Sequence, residues 1–165
     1  MSMADYWMKL DGIEGESSDE KMEKAFQIES WAWSEKNAGS WATNNGGGSG
    51  KVMMEDFTFS MPFNKAAPKL FAMCAGGDHI ASGELVCRKG GGGQQVYLKV
   101  KFSDFIISSF EIRAEEGGGD GYSGPKVSFS INFAKMDIDY QEQKPDGSVG
   151  ATTTAGYDLR KNAKS

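Results

Sequence analysis

Residues 126–140, KVSFSINFAKMDIDY, decide the fold class. Val127, Phe129, Ile131 and Phe133 alternate with Ser128, Ser130 and Asn132, a period of two that puts the apolar set on one face of a strand. Beyond Asn132 the apolar set becomes Ala134, Met136, Ile138 and Tyr140, so the phase slips by one residue. Such a slip implies a bulge, or a strand that leaves one sheet and enters a second. Long strands of this kind turn the corners of barrels and orthogonal sandwiches. Burial of both faces in an interface fits the same pattern.

The slip recurs in 51–63, where Val52 and Met54 give way after Glu55 to Phe57, Phe59, Met61 and Phe63. In 94–113, Val96, Leu98, Val100 and Phe102 alternate with Tyr97, Lys99, Lys101 and Ser103, a half-buried strand. Further strands are expected over 4–10, 26–33 and 80–88. One helix is expected over 65–75, with Asn64 as N-cap, Pro68 in the first turn and Gly76-Gly77 as the stop. Leu70, Phe71, Met73 and Cys74 would form its buried stripe. Residues 19–25 allow one more helical turn. Segments 11–20, 37–50, 115–125 and the tail after 140 carry no element signal. The chain thus reads as mainly β with one flanking helix, a single domain over 1–165.

The net charge of -5 opposes capture of nucleic acid or an anionic membrane surface, and no apolar run is long enough to span a bilayer as a helix. The first ten residues lack the basic and apolar regions of a signal peptide, so synthesis in the cytoplasm without an export tag is expected. Two cysteines, Cys74 and Cys87, make no disulfide scaffold and are expected to be free, largely buried thiols.

Motifs that suggest chemistry fail on context. Asn45 and Val52 break the phosphate-loop pattern around Gly50-Lys51, and a strand follows in place of a helix. Gly119, Gly121 and Gly124 have dinucleotide spacing but precede Pro125 and a strand. His79 is the only histidine and has no nucleophile motif beside it, so a structural or solvent-facing role is expected. Asp11, Glu14, Glu16, Asp19 and Glu20 match no calcium loop and read as a solvated acidic segment. No catalytic, cofactor or metal site is expected. Residues 37–50 (NAGSWATNNGGGSG) put Trp41 in an uncharged loop, where it either meets a partner or folds back onto its own domain.

Nine stretches together resemble the haemolysin-coregulated protein (Hcp) family, tube subunits of bacterial type VI secretion: YWMKLDGIEGES (6–17), AWS (32–34), GGSGKV (47–52), APKLFAMC (67–74), CRKGGG (87–92), QQVYLK (94–99), SDFIISS (103–109), NFAK (132–135) and AGYDL (155–159). They run nearly end to end, in the family's order. The resemblance implies a compact β-barrel of two sheets with one helix on its side, six copies of which close into a ring. Rings stack into a hollow tube, itself the main partner, which a contracting sheath expels with effectors in the lumen or at the spike. It also implies secretion by that system and assigns a ring-stacking loop to Trp41, Asn44, Asn45, Gly46, Gly47, Gly48, Ser49 and Gly50. Departures are an Ala-Ala pair at 66–67 where the family has Ser, and Asp78 where it has a basic residue. Two other classes compete: a monomeric carbohydrate-binding β-sandwich using its Trp and Tyr rings, and a small hydrolase built on acidic residues.

Overall fold

The computed structural model describes residues 5–38, 51–90, 94–114 and 124–165. The elements are β1 (Asp5–Leu10), β2 (Phe26–Ile28), β3 (Ser30–Ala32), β4 (Glu35–Asn37), β5 (Val52–Met54), β6 (Phe57–Pro62), α1 (Ala67–Gly76), β7 (Ile80–Arg88), β8 (Val96–Arg113), β9 (Lys126–Gln143), β10 (Val149–Asp158) and β11 (Ala163–Lys164). The mainly β class with one helix agrees with the sequence reading.

Nine strands form one sheet in the order β11-β10-β9-β8-β7-β1-β2, with a branch running from β9 through β6 to β3. The other two, β4 and β5, form a separate antiparallel ribbon. The main sheet curls around a shared core, but it is not closed into a barrel. Strands β2 and β3 pair with β1 and β6 respectively, and at Glu29 between them the ladder changes partners. The Glu29 amide donates to the Ser60 carbonyl at 2.8 Å. The expected two sheets are present, a curled and branched main sheet and a small ribbon, though they do not close into a barrel.

Both phase slips have a backbone cause. In β9 burial switches register between Phe133 and Met136, opposite Asp104 of β8, whose φ of 50° is left-handed. The Ala134 carbonyl there accepts the Leu159 amide at 2.8 Å. Burial in β8 slips at the same place, from Val100 and Phe102 to Phe105 and Ile107, while its pairing with β9 keeps register through Asp104 and shifts between Ile107 and Ser109. The slip after Glu55 marks a change of sheet, since β5 belongs to the ribbon and β6 to the main sheet.

The core is aromatic. Phe59 stacks on Phe57 and on Phe129, each at 4.9 Å, while Phe102 meets Phe57 edge-on at 5.1 Å. Helix α1 covers the end of β8 with Ala67 and Leu70 buried. Asn64 Oδ1 accepts the Ala66 amide at 2.8 Å, and Gly77 at φ 63° ends the helix with bonds to the Cys74 and Met73 carbonyls from Gly77 and Asp78. Phe71 does not join the buried stripe. It is 59% exposed and leans on Phe110, because the stripe of this short helix is only wide enough for Ala67 and Leu70, with Met73 and Cys74 half-buried.

Residues 19–25 form turns and no helix, with Met22 bonded to Asp19 and Ala25 to Met22. The tail after 140 does carry structure, because β10 pairs with β9 from Val149 to Asp158. Cys74 and Cys87 are both free, half-buried and buried respectively.

Candidate interaction surfaces

Strands β8 and β9 carry two different outer faces, one on each side of the slip. On the first, cross-strand rows run Ser30–Ser60–Ser128–Glu111 and Ala32–Thr58–Ser130–Ser109 over β3, β6, β9 and β8. The inward neighbours Phe57, Phe59, Phe129 and Ile131 are all in the core, so the outward positions need only small polar side chains. A hydroxyl network lies in this face. Asp56 accepts the Ser108 hydroxyl and the Asn132 amide, both at 2.8 Å, and Ser130 lies 2.7 Å from Ser108 and 2.6 Å from Ser109. Every member is a hydroxyl, amide or carboxylate.

Across the slip the outward row reads Lys9–Glu84–Lys101–Asp137, opposite charges alternating over β1, β7, β8 and β9. Gly156 of β10 completes the row without a side chain, and a Cβ there would fall on the Asp137 carboxylate. Lys101 also pairs with Asp139 at 3.0 Å, and this hydrogen-bonded carboxylate raises the lysine pKa.

Residues 11–25 strap the outer side of β1 and β7, burying Met22 and Ala25 against Val86 with Trp7 and Val96 alongside. Beneath the strap lies Arg88, 1% exposed. Its guanidinium donates to Asp5 at 2.8 and 3.3 Å and to Asp19 at 3.0 and 3.4 Å, and stands 5.4 Å from the Trp7 ring centre. Two bidentate carboxylates suit a planar guanidinium. The Asp5 bond, foremost, holds the arginine pKa up against burial, and the Arg88 bond, foremost, holds the Asp19 carboxyl below its ordinary range. The acidic segment is thus not wholly solvated: Asp19 is structural. Gly15 fits only because a Cβ would strike the Ala25 carbonyl at 2.3 Å.

A cleft of about 640 Å3 separates the β4–β5 ribbon from β9, β10 and β11. Its walls include Trp33, Met54, Met136, Ile138 and Tyr157. Trp33 is held there by stacking on Phe57 at 6.3 Å and by donating its Nε1 hydrogen to the Glu55 carbonyl at 2.8 Å.

The loop residues assigned to ring stacking, Trp41 and 44–50, lie outside the described residues. Their flanks are described and form the ribbon, whose β4 side carries no strand signal in the sequence. His79 is exposed, as expected. Burial, with the Asp5 charge second, pushes the Cys87 thiol up to about 12, so it stays protonated at neutral pH. Among the described residues no group of three or more His, Cys, Asp or Glu is arranged to hold a metal ion. The Trp7 ring stands against Arg88, and the Trp31 and Trp33 rings stack on Phe57.

Known proteins resemble this chain along nearly its whole length. The family model described as "Type VI secretion system effector, Hcp" matches residues 7–140. Protein hcp1 of Pseudomonas aeruginosa is 32% identical over 162 residues, covering 97% of this chain and 98% of the relative. A solved structure of a type six secretion system protein superposes with a TM-score of 0.90 at 25% identity, covering 99% of this chain and 100% of that one. Hcp1 from Salmonella typhimurium superposes with a TM-score of 0.79 at 29% identity, covering 98% and 99%. The resemblance read from the nine stretches is borne out: the chain belongs to the Hcp family of type VI secretion system effectors.

Proposed function

We propose that the protein is the structural subunit of a type VI secretion tube. Six copies close into a ring, rings stack into a hollow tube, and the contracting system exports the tube with effectors as cargo, from the cytoplasm to the outside or into a target cell. The partners are further copies of the chain, the sheath and spike, and the effectors. The protein acts through surfaces and has no enzymatic step.

The observation that supports this most is the division of one pair of strands into a hydroxyl-rich face and a salt-bridged face. A subunit of a closed ring joins through two unlike patches and leaves a third face to the bore. The hydroxyl face suits the bore. It carries no aromatic side chain outward and its central rows are uncharged apart from Glu111, so a passing protein meets water-like groups and no adhesive patch. The ring-stacking role of Trp41 and 44–50 is part of the proposal. Electron microscopy of the purified protein tests it. Sixfold rings and short tubes are expected, and the W41A variant is expected to keep rings while losing tubes. Dispersed monomers in every field would overturn the reading.

A further inference from the structure

We propose that the outer edge of β10 is a docking strand for a second copy of this chain, and that it pairs with the outer edge of β5 in the next copy's ribbon. The inference deepens the assembly reading above and rests on it.

Among the described residues the β10 edge is open along most of its length. Strand β11 pairs only with Tyr157 and Asp158, and the Ser165 amide closes on the Gly156 carbonyl at 2.9 Å. That bond fixes which residues face the edge: Gly156 points outwards and, with a period of two, so do Thr154 and Thr152. Leu159, of the other parity, turns its amide to Ala134 on β9. Among the described residues no strand pairs with β10 on this side from Val149 to Ala155.

The edge is also unguarded. Soluble proteins protect open strands with lysine, proline or extreme shortness. Residues 149–157, VGATTTAGY, hold no charge and no proline, and Thr152, Thr153 and Thr154 are exposed on both faces of the strand. Val149 and Tyr140 beside it are 44% and 47% exposed. The sole irregularity is the register shift between Val149 and Thr152.

The same chain supplies the complement. Strand β5 has three residues and, among the described residues, pairs only with β4. The Glu55 amide donates to the Ser34 carbonyl, so Glu55 and Met53 face β4 while Val52 and Met54 turn their backbone groups to the outer edge. A two-stranded ribbon is marginal in water, and a third strand would stabilise it. Val52 and Met54 line the apolar cleft from one side and Thr154 and Tyr157 from the other, so both edges border apolar surface that a docked strand would cover. The two edges differ in sequence, which makes the joint head-to-tail. In a closed ring every copy then uses one edge of each kind.

Met53→Cys and Thr153→Cys, made in separate chains on a Cys74→Ser background and treated with a short bismaleimide, test the pairing. A mixture is expected to cross-link into heterodimers, and a chain carrying both changes into a ladder ending at ring size. Homodimers of the Thr153→Cys chain alone would overturn the proposal in favour of symmetric pairing. Rings with no cross-link would overturn it and leave the assembly reading standing, whereas unmodified protein that forms no rings overturns both. Thr154→Pro, which removes one outward amide and leaves the β9 ladder intact, is expected to lower the ring fraction at least tenfold with an unchanged circular dichroism spectrum. Undiminished rings in that variant would contradict the proposal.

Discussion

Strands β8 and β9 pair along almost their whole length, yet their two ends meet solvent with different chemistry. One end shows Ser109 and Ser128, and the other Lys99, Lys101, Asp137 and Asp139. The aromatic core is continuous beneath both, so the inner face does not set the difference. A left-handed residue, Asp104, exchanges inside for outside midway and lets one strand serve two surfaces. Curling the sheet and dividing its surface are therefore one structural event.

The largest effect is expected at the strap on the charged side. Arg88→Met leaves Asp5 and Asp19 facing each other without their cation, a loss of about 3–5 kcal/mol. Urea unfolding measures it, and a loss below about 1 kcal/mol would mean that the strap holds without its ion cluster. The Asp19 carboxyl is held below the ordinary 3.8, so its contribution is complete above that value and fades as the pH falls through the lowered one. Asp19→Asn is expected to be less stable at neutral pH and to lack that part of the acid slope.

At the hinge itself, Asp104→Val puts a β-branched side chain at φ 50° and is expected to cost about 1–3 kcal/mol. Asp104→Gly is expected to cost far less, since it keeps the backbone and loses only the exposed pair with Arg160. Equal thermal shifts for the two would show that the left-handed backbone does not matter.

On the hydroxyl face, Ser130→Ala removes the link between Ser108 and Ser109 at a cost of about 1 kcal/mol. Smallest of all, Lys101→Ala on the charged face is expected to cost less than about 1 kcal/mol, an effect that added salt erases. A larger loss from Lys101→Ala than from Ser130→Ala would invert the contrast between the two faces.

Much of this could be read from the chain. The slip in 126–140 is visible because Val127, Phe129, Ile131 and Phe133 sit on one parity and Met136 and Ile138 on the other. In 94–113 the same slip is hidden, because it depends on the left-handed backbone of Asp104, which no side-chain pattern announces. Strand β10 escaped notice because TTTAG is exposed on both faces and so has no alternation to detect. Arg88 and Asp19 are 69 residues apart, and neither one marks the other in sequence. Phe71 misled because apolar character in a helix predicts burial only when something covers that face.

Native mass spectrometry and sedimentation across a wide concentration range test whether the protein closes copies of itself into rings. A species of six times the 17.9 kDa chain is expected, dissociating on dilution without passing through a stable dimer. A monomer that persists at the highest concentration would contradict it.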